Sequence, residues 1–311
     1  MNAGLAAKTA FVLAGGGSLG AVQVGMLKAL AQAGIAPDFV VGASVGAING
    51  ACYAASPDAD GIAHLERIWL RLRSADVFPF SWLGTALCLL GRRTCLAHPH
   101  RLRTLVDAEL PFARLEDARI PCHVVATDAL DGTEVVLSSG DAATALLASA
   151  AIPAVFPPVV VDGRALIDGG IGSNTPVAAA FALGARRIVV LPTGTPCALS
   201  APPRGAMASG LHALNLLAMR QLLADIERFS GLCELQMVPP LCPLGVSTYD
   251  FFADAGTDRA RACGDARLDR RRIAGSGSTL GVAAAPTPQA RPGLFPRRVR
   301  FDHHVEHIGM A

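Results

Sequence analysis

Ser44 stands with a glycine two residues away on either side, in Val40-Val41-Gly42-Ala43-Ser44-Val45-Gly46-Ala47-Ile48. A short apolar run that meets G-x-S-x-G reads as a strand turning sharply into a helix, which would hold the serine hydroxyl exposed at the turn. Gly42 and Gly46 would let the two arms of that turn pass close together, where a side chain would collide with the opposite arm. Ser44 is therefore a candidate nucleophile, inert at its free pKa and in need of a neighbour to take its proton. A second group of chemical interest is Gly15-Gly16-Gly17-Ser18-Leu19-Gly20. Unpaired backbone N–H groups at such a glycine turn could hold a phosphate or, equally, a developing oxyanion.

These groups need a scaffold, and the surrounding pattern supplies strand and helix signals in alternation. Phe11-Val12-Leu13-Ala14 reads as a strand that enters the glycine turn. Residues 21–33 follow as a helix, with Val22, Met26, Leu27 and Leu30 at helical spacing and Gly34 as its C-cap. A dinucleotide fingerprint would add an acidic residue at the end of the second strand. Asp38 instead precedes Phe39-Val40-Val41, and the end of that strand offers Ser44.

Helices are expected over 48–55, 62–73 and 102–110. Residues 78–90, from Phe78 to Leu90, are apolar and rich in aromatics, and read either as core packing under a loop or as a wall for an acyl chain. Residues 121–128 and 133–137 read as strands around the turn Asp131-Gly132, and Asp141 as the cap of a helix over 142–150. Residues 142–161 carry no charge over twenty positions, a length that could span a bilayer, but Pro153, Pro157 and Pro158 would break the second half. A buried helix, a turn and a strand are expected there, and no transmembrane segment. Ala165-Leu166-Ile167 then runs into Asp168-Gly169-Gly170, a turn at a strand end, and Ile188-Val189-Val190-Leu191 reads as a buried strand closing a parallel sheet. After a connection over 193–204, a long helix over 211–229, a strand over 233–238 and a basic helix over 255–273 are expected, with disorder from 274 to 311.

Composition bounds the function. With 51% hydrophobic and 17% charged residues in 311, most of the chain should pack into a globule. A net charge of +2, from 27 basic and 25 acidic residues, provides no global field for nucleic acid or an anionic membrane. Any lipid contact must be local and apolar. The eight cysteines form no C-x-x-C pair, which excludes a zinc ribbon or thioredoxin-type motif and favours a reducing compartment. The N-terminal run is too short for a signal peptide, so a cytoplasmic location is expected. His303, His304 and His307 sit in the tail with no framework to orient them. No metal and no cofactor are expected.

The order of Gly15 to Gly20, Gly42-Ala43-Ser44-Val45-Gly46 and Asp168-Gly169-Gly170, with Ala148-Ser149-Ala150-Ala151-Ile152-Pro153 and Phe156-Pro157-Pro158, resembles the bacterial branch of the patatin-like phospholipase family over residues 9–195. The resemblance implies a three-layer α/β/α fold with a mainly parallel sheet, and a serine acyl hydrolase acting on phospholipids, lysophospholipids or other acyl esters. It implies Ser44 as nucleophile, Asp168 as base, and the N–H groups around Gly15, Gly16 and Gly17 as oxyanion hole, with Gly20, Gly42, Gly46, Gly169 and Gly170 as motif glycines. The expected organisation is a catalytic domain over 9–195, a mostly helical extension over 196–273 packed on it, and the tail. The expected partners are a lipid or acyl-ester substrate and, transiently, a membrane surface; no nucleic acid is expected, and the oligomeric state is not set. Leu19 departs from the family, many of whose members carry arginine or lysine there, and its lack of charge favours neutral or lightly charged esters. Two other classes stay open: a dinucleotide-binding oxidoreductase using the glycine turn, and a lipid-binding or regulatory protein with a dead or very slow site. The order Ser44, Asp168, His212 would also suit a Ser–Asp–His triad, but His212 lies outside the matching stretch, and His64, His98, His100 and His123 have no motif around them.

Overall fold

Valine-rich and apolar runs become the strands of one eight-stranded sheet in the computed structural model, which describes residues 7–72, 99–193 and 206–239. Its parallel part has the order β3 (Cys122–Asp128), β2 (Phe39–Ala43), β1 (Lys8–Leu13), β7 (Ala185–Leu191) and β8 (Glu234–Met237). β4 (Glu134–Leu137) and β6 (Arg164–Ile167) pair antiparallel with β3, and β5 (Val159–Val161) pairs antiparallel with β6. Ile188 to Leu191 does not close the parallel sheet as the sequence suggests. β8 lies outside it, and the double-sided burial of that valine-rich run is what an interior strand requires.

Alternation along β1 assigns the two faces. Phe11 and Leu13 enter one core with α1 (Ala21–Gln32), α2 (Val45–Ala55), α3 (Ala59–Arg71), α4 (His100–Glu109) and α5 (Ala142–Ser149). After the short α6 (Gly169–Ser173), α7 (Val177–Ala182) and α8 (Ala206–Phe229) cover the other face, where they meet Ala10 and Val12. The fold is therefore a three-layer α/β/α sandwich. Leu222, Phe229 and Leu235 share the second core with Val177 and Ala180, so α8 and β8 complete that layer and the sheet.

The uncharged stretch resolves into α5, an irregular segment around the prolines, and β5. Asp141 caps α5 by accepting the Thr144 N–H at 2.7 Å. None of the described helices is long and apolar enough to cross a membrane. The stretch 78–90, His98, residues 194–204 of the connection, the basic helix over 255–273 and the tail over 274–311 lie outside the described residues.

One feature of the pairing aims two chain segments at each other. Val125 pairs with Ala43 on one side and Val136 on the other; two residues on, Thr127 pairs with Ile167 and Glu134. β4 thus keeps one edge of β3, while β6 follows β2 along the other edge in the opposite direction. The C-terminal ends of β2 and β6 point at one another, and the next residues are Ser44 and Asp168.

Beneath the glycine turn lies a buried polar cluster. Gln23 gives its amide protons to the carbonyls of Ala14 (2.9 Å) and Leu191 (3.0 Å), where β1 and β7 end. Asn49 donates to Gly20 O (2.9 Å) and Gln23 Oε1 (2.8 Å), and accepts from Trp69 Nε1 (3.0 Å). Each bond satisfies a group that burial would otherwise strand. Asn49→Ala, which unpartners the Trp69 N–H and Gln23 Oε1 together, is expected to lower unfolding free energy by about 3 kcal/mol. Urea unfolding checks this; a change under about 0.5 kcal/mol, as at an ordinary surface site, would show the cluster to be dispensable.

Candidate active site

Ser44 sits where β2 turns into α2, with φ 53° and ψ −126°. A left-handed φ is strained for a serine and persists only when its surroundings enforce it. Gly42 is one reason it can: a Cβ there would run into the Gly46 carbonyl, so the two arms of the turn do touch. Gly46 has a different role, since its missing Cβ makes room for the Leu13 carbonyl at the end of β1. The Ser44 N–H, too early to join the α2 ladder, donates to Ser149 Oγ at 2.8 Å.

Asp168 follows β6 and caps α6. Each polar group it owns has a partner. Its N–H donates to Ala151 O (3.0 Å), and its carbonyl accepts from Thr127 Oγ1 (2.8 Å). Oδ1 accepts the Gly170 N–H and Oδ2 the Ser44 hydroxyl, both at 2.7 Å. Gly169 must lack a side chain, because a Cβ would fall on the Val125 carbonyl; a Cβ on Gly170 would approach Asp168 Oδ1 and Asn174 Oδ1 at 2.9 Å. Ser44 is 8% exposed and Asp168 6%. Burial pushes the Asp168 carboxyl up to about 6, and the bonds from Ser44 and Gly170 hold it back from rising further. A carboxylate in that range is ionised at neutral pH yet basic enough to accept a proton from a hydroxyl in contact with it.

The glycine turn lies against Ser44: a Cβ on Gly15 would be 3.2 Å from Ser44 Cβ. Its three leading glycines are not equivalent. The Gly15 N–H donates to Asn174 O at 2.9 Å, and the Gly15 carbonyl accepts from Thr193 Oγ1 (2.7 Å) and Asn174 Nδ2 (3.3 Å). Gly15 is thus an anchor, which departs from the sequence reading of it as a donor. The N–H groups of Gly16 and Gly17 have no partner among the described residues. Gly20 backs onto Val45 and Trp69 with no room for a Cβ. Leu19 is buried.

The remaining candidates fall elsewhere. Asp38 accepts the Thr9 N–H at 2.6 Å, at the start of β1 and the opposite end from the glycine turn, where it cannot serve a nucleotide bound there. His64 contacts Glu109, His123 contacts Ser138, and His212 is half-buried on α8. Among the described residues no histidine bonds to Ser44 or Asp168, and no group of three His, Cys, Asp or Glu could hold a metal ion. No sequence motif marks Thr127, Asn174 or Thr193 as a site residue. Ser149 alone carried a signal, its place in the Ala148 to Pro153 segment.

A family model described as patatin-like phospholipase matches residues 11–181. Neuropathy target esterase sws of Drosophila melanogaster is 28% identical over 186 residues, which are 59% of this chain and 13% of that protein. Patatin-like phospholipase domain-containing protein 6 of Homo sapiens is 29% identical over 188 residues, 60% of this chain and 13% of its own length. The solved structure of VipD from Legionella pneumophila superposes with a TM-score of 0.42 at 16% identity, covering 86% of this chain and 66% of that one, too loosely to carry an argument. The chain thus spans about an eighth of the length of these two curated relatives.

Proposed function

The chain belongs to the patatin-like phospholipase family, and on that premise we propose that it is a lipid acyl hydrolase working through an acyl-Ser44 intermediate with Asp168 as its base. The observation that carries this reading is the 2.7 Å hydrogen bond from Ser44 Oγ to a buried carboxylate whose pKa is pushed up to about 6. Oγ attacks the ester carbonyl carbon while Asp168 takes its proton. The oxyanion is received by the Gly16 and Gly17 N–H groups, a donor of this kind being worth about 3 kcal/mol in other enzymes. The C–O bond to the alcohol breaks, the alcohol leaves with the proton from Asp168, and the acyl group stays on Ser44. Water, deprotonated by Asp168, then attacks the acyl-enzyme, and Ser44 regains its proton as the acid departs.

The substrate is an acyl ester of a lipid, as for a phospholipase A, lysophospholipase or carboxylesterase. With uncharged Leu19 in the glycine turn, neutral or lightly charged esters suit it better than phospholipids. Contact with a membrane surface is local, apolar and transient. The catalytic domain spans 9–195, and the extension over 196–273 packs on it through Leu222 and Phe229, which meet Val177 and Ala180. The thiols of Cys52 and Cys122, pushed up to about 12 chiefly by burial, suit the reducing cytoplasm.

A panel of p-nitrophenyl esters and phospholipid vesicles tests the reading. Ester cleavage is expected, with kcat/KM rising through pH about 6 and level above it, since Asp168 must be ionised to act. A folded protein that releases nothing from any ester would leave a lipid-binding protein of the same fold in its place.

A further inference from the structure

The base and the nucleophile come from distant parts of the chain, yet both are held by one short piece that contributes no reacting atom. Ser149, the last residue of α5, is fully buried. A hydroxyl has a single proton, and Ser149 gives its own to the Val125 carbonyl, which turns a lone pair toward the Ser44 N–H at 2.8 Å. Val125 is the residue of β3 opposite Ala43, the last of β2. Ser149 thus reaches into the place where β2 leaves the sheet. Two residues further on, the Ala151 carbonyl takes the Asp168 N–H at 3.0 Å. This piece is itself fixed to α5, because the Ala150 and Ala151 N–H groups bond back to Leu146 O (3.0 Å) and Ala148 O (3.2 Å).

We infer that Ser149 is a positioning residue for Ser44, and that Ser149 to Ala151 form a single clasp fixing the distance between Ser44 and Asp168. The inference rests on the proposed function and adds to it the group that maintains its geometry. Ser44 occupies a left-handed φ although it carries a side chain, and the bond to Ser149 is the one that its N–H makes. Without that bond the turn relaxes and the hydroxyl swings from Asp168 Oδ2. Reacting groups displaced by about 1 Å lose about 10²-fold in rate.

The test compares wild type, Ser149→Ala, Ser149→Cys and Leu146→Val. The last removes a buried methylene from the same helix while leaving the hydroxyl in place, and so controls for lost stability. The readouts are kcat and KM on a p-nitrophenyl ester, the rate of covalent labelling of Ser44 by a fluorophosphonate, the pH profile and the melting temperature. For Ser149→Ala, kcat and labelling rate are expected to fall by about 10²-fold with KM within about twofold. The pH midpoint should move upward, since the Ser44 bond is one of the two that hold the Asp168 carboxyl down. Ser149→Cys keeps the volume and weakens both bonds, so it should fall between the two, and it decides the matter should the alanine variant not fold. Wild-type kcat in the folded Ala or Cys variant, or an equal loss in Leu146→Val, would overturn the clasp. Wild type that is folded but never labelled would instead overturn the proposed function, and the clasp with it.

Discussion

Asp168→Asn is expected to lower kcat by about 10³-fold, within the range for loss of a positioned general base, and to make the protein more stable at pH 8. Asparagine can accept the Gly170 N–H through its oxygen and donate to Ser44 Oγ through its amide, so both contacts of the carboxylate survive in altered form. The amide cannot take the Ser44 proton. Stability moves the other way because the folded-state pKa of about 6 lies above the ordinary 3.8. Between those values the folded chain holds a proton that the unfolded chain has lost, so stability falls as pH rises through this window. Above pH 6 the ionised, buried carboxylate costs about 3 kcal/mol, which the neutral amide removes. Thermal melts of both proteins at pH 4 and pH 8 check this: the wild type should lose stability across the interval relative to the variant. His212→Ala should keep its activity within about threefold. If it instead fell by several orders of magnitude while folded, a Ser–His–Asp triad would replace the two-residue apparatus.

Ser44→Ala should abolish turnover, a loss of about 10⁶-fold by comparison with nucleophile deletions in other serine enzymes. The backbone of the turn should hold, since the bond to Ser149 comes from the Ser44 N–H and alanine retains it. Its Asp168 loses the hydroxyl that favours the ionised form, so the carboxyl should titrate above its wild-type value. Residual turnover at wild-type rates in the purified variant would assign the chemistry to another group.

Much of this site can be read from the chain because strand ends are written locally. Gly42 to Gly46 and Asp168 to Gly170 each mark a strand end by an apolar run stopping at small residues, and both places are where the reacting side chains sit. What decides their meeting is not local. That β6 follows β2 along the same edge of β3 depends on pairing between residues some forty positions apart, and no spacing in the sequence records it. Ser149 bonds to a serine 105 residues away, and the Gly15 N–H to a carbonyl 159 residues on, so neither partner had a periodicity to reveal it. Helix α6 is hidden in the sequence for a different reason. Gly169-Gly170-Ile171-Gly172-Ser173 is a poor helix former by propensity, and its turn exists because Asp168 caps it and Thr127 Oγ1 accepts the Gly172 N–H. The interior place of β7 does have a signal in the sequence, since a strand apolar on both faces belongs inside a sheet, while the shorter, half-exposed Glu234-Leu235-Gln236-Met237 suits an edge.

If Ser44 is a nucleophile activated by Asp168, it should be captured covalently. Folded protein is incubated with a fluorophosphonate ester across pH 5 to 8, and the adduct is counted by intact mass and located by peptide mapping. One adduct per chain is expected, on Ser44, forming faster as pH rises through about 6 and absent from Ser44→Ala. Folded protein that takes up no label, or takes it up at a residue other than Ser44, would contradict it.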